Sequence, residues 1–136
     1  MNRKELQKLS QIRIKEAKAL LDQGLYDGAY CLGGYAVECA LKACIAKNVR
    51  RHDFPDKKAV LDSYTHDLSK LIRAADLYKE LERGRKDQQF EINWAIVEKW
   101  SEESRYKLNT KVAASDLYTA VTARKHGVIP WIKQYW

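Results

Sequence analysis

Apolar residues recur along this chain with a period near 3.6, the spacing of one face of an α-helix. The clearest run is Tyr26 to Lys47, YDGAYCLGGYAVECALKACIAK, where Tyr26, Ala29, Tyr30, Gly33, Val37, Ala40, Leu41 and Cys44 make one wide stripe. A stripe of that width is expected to be buried against other helices. Upstream, Leu6, Leu9, Ile12, Ala17, Leu20 and Leu21 predict a first helix from about Lys4 to Asp22, ended by Gly24. The link between the two is very short, so they are expected to form an antiparallel hairpin.

The pattern breaks between Asn48 and Thr65, where Arg50, Arg51, His52, Asp53 and Pro55 read as a polar loop and Ala59 to Tyr64 as a short turn. Pro55 argues against one continuous helix through this stretch. His66, Asp67 and Leu68 open a shorter helix with Leu68, Leu71, Ile72 and Ala75 inward, and Asp67 favours its N-terminal dipole. Tyr78 to Gln89 is charged and contains Gly84, a loose helical turn or a loop. A fourth helix is predicted from Phe90 through about Ser104, carrying Ile92, Trp94, Ala95, Val97 and Trp100. After a polar break at Arg105 to Lys111, a fifth runs from Val112 to His126 with Ala113, Leu117, Ala120 and Val121 inward. Gly127 suits a C-terminal cap and Pro130 the start of a last turn holding Trp131, Ile132, Tyr135 and Trp136. These elements predict an all-α, up-and-down bundle of four to five helices with a short C-terminal helical turn, in one domain spanning residues 1–136.

Two features of the long helix stand out. Gly33 and Gly34 each cost roughly 1 kcal/mol against alanine inside a helix, so a pair implies either a close backbone approach or a local kink. Glu38 and Lys42, acid first at i, i+4, have the favourable orientation for a surface ion pair worth about 0.2 to 0.5 kcal/mol, which reads as a solvated helix edge.

Composition narrows the class. Two prolines and six glycines in 136 residues leave helix favoured outside a few loops. Cys31, Cys39 and Cys44 share one predicted helix at spacings of eight and five, which do not suit an intrahelical disulfide, so they read as reduced core residues. No CxxC pair or two-histidine helical spacing suggests zinc, and no cofactor is expected. The charged start, MNRKELQKLSQIRIK, has no signal-like core, and no apolar run approaches the roughly 20 residues of a bilayer span, so a soluble, cytoplasmic protein without membrane contact is expected. The net charge of +7 is uneven, with five positive and two negative side chains in Lys47 to Lys58. Such a surface admits RNA, nucleotides or an acidic protein, and equally a solubilising loop.

The ordered motif AxxLLxxGLYxxAxxxxxxAxExALKA, then HDL, then SRY, is carried here by Ala17, Leu20, Leu21, Gly24, Leu25, Tyr26, Ala29, Ala36, Glu38, Ala40, Leu41, Lys42 and Ala43, by His66, Asp67 and Leu68, and by Ser104, Arg105 and Tyr106. In this order the residues resemble the HEPN domain (higher eukaryotes and prokaryotes nucleotide-binding) over nearly the whole chain. The resemblance implies a helical bundle, often a homodimer, commonly paired with a minimal nucleotidyltransferase in bacterial two-gene systems. It also implies a relation to ribonuclease toxins, whose signature is an arginine followed after four to six residues by a histidine. This chain departs from that signature, because His52, His66 and His126 have no arginine at that distance upstream; Arg124 leaves only Lys125 before His126.

Metal-free RNA cleavage needs a group to take the 2′-OH proton and a cation to stabilise phosphorane-like charge, roles that histidine and arginine can fill. His66 and Arg105 could supply them only by meeting in three dimensions. A histidine at a helix start more often caps or packs, and an arginine at a helix end either binds phosphate or satisfies carbonyls. The residues expected to contact nucleotide or RNA are Lys42, Arg50, Arg51, His66, Arg105 and Tyr106. Trp131, Tyr135 and Trp136 could stack on bases but are better read as a packed tail, and Trp94 and Trp100 as core. Three functions follow: an interaction module paired with a nucleotidyltransferase in a toxin–antitoxin-type system, a nucleotide- or RNA-binding domain without turnover, and a ribonuclease toxin weakened by the missing signature.

Overall fold

The computed structural model describes residues 1–51 and 57–136, and of Arg50, Arg51 and Ala59 the backbone alone. Eight α-helices follow in order: α1 (Arg3–Asp22), α2 (Tyr26–Arg51), α3 (Lys57–Asp62), α4 (Leu68–Ala74), α5 (Tyr78–Gly84), α6 (Gln88–Glu98), α7 (Lys111–Thr122) and α8 (Val128–Lys133), with a 3-10 helix at Glu102–Tyr106 between α6 and α7. The described residues contain no strand, and the fold is all-α. It has more pieces than the pattern predicts. The stretch around Ala59, read as a short turn, holds the short helix α3, and of the two readings of Tyr78 to Gln89, a loose helical turn or a loop, the helical one holds over α5.

α1 and α2 form the expected hairpin. Asn2 and Glu5 cap the start of α1 reciprocally, each side chain taking the other's backbone N–H at 2.9 Å. Gly24 ends it in the left-handed region, φ 76°, where glycine meets no Cβ penalty. The Leu25 amide then bonds the Leu20 carbonyl and the Gly24 amide that of Leu21, a Schellman closure that turns the chain into α2. Small residues let the two helices approach closely: Ser10 and Ala17 are wholly buried, and the Ser10 hydroxyl donates to the Ala36 carbonyl at 2.7 Å.

α2 is the central element, touching α1, α4, α7, α8 and the 3-10 helix. Ala36, Val37, Ala40, Leu41 and Ala43 are fully buried, and around them pack Leu71 and Ile72 of α4, Trp94 and Val97 of α6, Leu117 of α7 and Ile132 of α8. Each fully buried large apolar side chain contributes about 1.5 to 3 kcal/mol. By length and composition Tyr26–Val49 could cross a membrane, contrary to the expectation that no run approaches that length, but 61% of its most apolar window is buried within the protein. Its apolarity is that of a core helix.

Several boundaries differ from the sequence reading. α2 continues past Lys47 to Arg51, and α6 stops at Glu98, so Ser104 and Arg105 lie in a separate 3-10 helix. α7 ends at Thr122, and Gly127 is the N-cap of α8 instead of the C-cap of α7. Asp67, not His66, caps α4, accepting from the Lys70 amide at 3.1 Å. Ile12 and Ile92, read as inward, are 36% and 49% exposed. Trp94 and Trp100 are core, and Trp131 packs on Phe90 and Tyr135 with ring centroids 5.3 and 5.5 Å apart, so the tail aromatics pack as expected.

The glycine pair has a different cause from a backbone approach or a kink. A Cβ at Gly34 would lie 1.9 Å from the Trp100 indole, and one at Gly33 would lie 3.3 Å from Leu117. Gly34 is the seat of a tryptophan. Both glycines face the interior of this chain, so they do not serve as the contact surface of a dimer.

Candidate functional site

Because α2 is buried on most of its circumference, a charge at its middle has no route to water. Glu38, read from sequence as part of a solvated edge, is in fact buried, with its side chain 7% exposed. A carboxylate so placed requires partners. Lys42 donates to it at 2.8 Å, and His66 Nδ1 lies 3.0 Å from both its oxygens. The other ring nitrogen, Nε2, is 3.2 Å from a Glu102 carboxylate oxygen. His66 is therefore held between a buried glutamate of α2, to which Nδ1 is hydrogen-bonded, and a half-exposed one of the 3-10 helix, which lies within ion-pair distance of Nε2.

Tyr35 and Trp100 form the inner wall. The Tyr35 ring stands edge-on to His66 at 6.3 Å and to Trp100 at 5.0 Å. Burial raises the Tyr35 phenol above its ordinary pKa, the Arg105 charge opposes this, and Glu38 and Glu102 add to it. Arg105 and His66 thus share the neighbourhood of Tyr35. Their own contacts differ, since the Arg105 guanidinium sits over the Tyr106 ring, 5.1 Å from its centroid.

His66 opens on a groove of about 490 Å³ whose lining includes Asp67, Glu98, Glu102 and Glu103 against Lys99. Four carboxylates beside one lysine make it an unfavourable seat for a phosphate chain. Among the described residues no group of three or more His, Cys, Asp or Glu is arranged to hold a metal.

The SRY triplet divides by direction. Ser104 is buried, its hydroxyl 3.3 Å from the Cys31 sulfur, while Arg105 and Tyr106 project outward, with Tyr106 80% exposed. Beyond them the Asn109 amide donates to Asp27 at the start of α2, tying the 107–110 loop down. Lys107 and Lys111 flank this loop and are exposed.

Of the residues singled out from sequence, Lys42 and His66 come together on Glu38, and Arg105 and Tyr106 form a separate outward pair. The side chains of Arg50 and Arg51, and all of residues 52–56, lie outside the described residues. His126 contacts Asp87 at 2.9 Å, away from His66. Sequence reasoning missed Tyr35 and Glu102, which carry no local signature. For Glu38 a signal existed, the one acid beyond the first turn of a helix apolar around most of its circumference.

No curated protein and no solved structure matches the chain. The family model described as HEPN domain matches residues 4–122, from the first turn of α1 to the end of α7. That span takes in the hairpin, the Glu38–His66 clamp and the 3-10 helix, and on it the chain belongs to the HEPN domain family.

Proposed function

We propose that this HEPN domain binds single-stranded RNA or a nucleotide without cleaving it, through the outward ledge formed by Arg105 and Tyr106. The observation that carries this reading is the Arg105 guanidinium held over a Tyr106 ring that is 80% exposed, with Lys107 and Lys111 alongside. An exposed aromatic face can stack an unpaired base, and a guanidinium beside it can take a phosphate oxygen pair. Turnover is disfavoured because no arginine precedes a histidine at the spacing of the family's nuclease signature, and because Arg105 points outward over Tyr106 while His66 is engaged by Glu38.

The test is binding of a labelled single-stranded RNA at increasing salt. Arg105→Ala and Tyr106→Ala are expected to weaken binding by about tenfold each, the scale of one charge-assisted contact or one stacked base, and His66→Ala to leave it unchanged. Binding that survives both ledge substitutions would overturn the reading. RNA cleavage by the wild type, abolished by His66→Ala, would restore the ribonuclease toxin in its place.

A second reading is a paired role, with a minimal nucleotidyltransferase of a toxin–antitoxin-type system or a second copy of this chain as partner. It is favoured by Leu108, Val112 and Leu25, 94%, 68% and 56% exposed, on the segments that the Asn109–Asp27 contact joins. Purification of a tagged copy from its native cell, with the mass of the purified protein measured by light scattering, separates these. Recovery of a nucleotidyltransferase supports the paired role, a doubled mass supports the dimer, and a monomer that brings down only nucleic acid counts against both.

A further inference from the structure

Between α3 and α4 lies a groove of about 540 Å³, distinct from the acidic one although Thr65 borders both. Lys58 reaches it from α3, and Lys70 and Arg73, three residues apart and so on one face of α4, reach it from the other side. Leu61 and Ala74 give it an apolar portion, and among the described residues Asp62 is the one carboxylate in its lining. The Arg73 guanidinium is steadied over the Tyr78 ring at 4.5 Å.

Among the described residues no carboxylate comes within 4.0 Å of a Lys58, Lys70 or Arg73 nitrogen. The contrast is with the apolar groove near the N-terminus, also lined by two cations, where Arg3 is engaged by the Trp136 carbonyl and Lys42 by Glu38. The three cations and one acid that line it among the described residues attract a compact, multiply charged anion more strongly than an extended, singly charged one.

We propose that this groove is a binding site for a diphosphate group, with Arg73 and Lys70 holding the oxygens from α4, Lys58 closing from α3 and the Thr65 hydroxyl donating a further hydrogen bond. The diphosphate could be free or carried by a nucleotide. The site does not depend on the Arg105–Tyr106 ledge.

The test is titration of the full chain with inorganic pyrophosphate, ADP and adenosine, followed by backbone amide NMR shifts and by calorimetry. Pyrophosphate and ADP are expected to bind and to move amides of α3 and α4, and adenosine is not. Lys70→Ala and Arg73→Ala each lower the affinity by about tenfold, as loss of one charge-assisted hydrogen bond does. Asp62→Asn raises it by removing a repulsive charge, and Arg105→Ala leaves it unchanged. ADP binding more tightly than pyrophosphate assigns the groove to a nucleotide, and equal affinity assigns it to the anion alone. Adenosine binding as well as ADP, shifts scattered over the surface lysines, or Lys70→Ala and Arg73→Ala variants that bind like wild type would each sink the proposal.

Discussion

Glu38 shows how far one charge can be from its sequence reading. An exposed i, i+4 pair such as Lys18 and Asp22, both more than half exposed, is screened by water, and Lys18→Ala is expected to leave the urea midpoint unchanged. Lys42 sits in the same spacing, but its partner is buried and shared with His66. Lys42→Ala leaves a buried carboxylate with one donor, and equilibrium urea unfolding should show a loss of about 1 to 3 kcal/mol, the scale of an under-satisfied buried polar group. A loss no larger than that of Lys18→Ala would mean that Glu38 reaches water. Cys44 offers a second residue-level test. Burial pushes its thiol up to about 12, so thiolate is scarce at mildly alkaline pH and iodoacetamide is expected to label Cys44 only when urea unfolds the chain. Labelling of Cys44 in the native protein as fast as in the unfolded one would contradict its burial.

Among the elements, α2 is constrained at Gly34 by a ring more than by helix propensity. Alanine there would gain roughly 1 kcal/mol of propensity. It would also put a Cβ 1.9 Å from Trp100, which must then move. Overpacking of this kind costs about 1 to 3 kcal/mol or more, so Gly34→Ala is expected to destabilise while Gly33→Ala, facing a Leu117 methyl at 3.3 Å, stays near neutral. Comparison of the two by denaturant titration and tryptophan fluorescence checks this. α4 ends in a Schellman closure like that of α1, but with Asp76 at φ 58° where α1 has Gly24. Asp76→Gly should relieve the left-handed strain and stabilise by up to about 1 kcal/mol, measured as a higher unfolding midpoint. α6 starts at Asp87, whose carboxyl is lowered below 3.8: its desolvation raises it, and the Phe90 and Gln89 amides together with His126 more than offset that. A depressed folded pKa stabilises above the unfolded value and is lost as pH falls through the folded one. The stability gap between wild type and Asp87→Asn should therefore narrow once pH falls below 3.8.

For the whole molecule, what was legible in sequence was whatever a local period encodes. The α1–α2 hairpin, the glycine that closes α1 and the inward Trp94 of α6 all follow from spacings within one helix. The site does not, because Glu38 and His66 are 28 positions apart and meet only when α4 docks on α2. The same limit explains α5, which buries only Leu81 within its seven residues and so leaves almost no periodic trace. Gly127 misled for a different reason: at φ −72° it starts α8 in extended backbone, and glycine before a helix looks in sequence like glycine after one. The Arg105–Tyr106 pair was named from its motif, but its separation from His66 required the 3-10 helix to be seen.

The contact between Gly34 and Trp100 gives the clamp around His66 two walls of unequal compliance. Its inner wall, Glu38, Tyr35 and Trp100, is fixed to α2 and can yield only if the core yields. Its outer wall is Glu102, 40% exposed, on a five-residue 3-10 helix that also carries Arg105 and Tyr106. A load on that ledge therefore reaches His66 through Glu102, on the side opposite Glu38 and Tyr35.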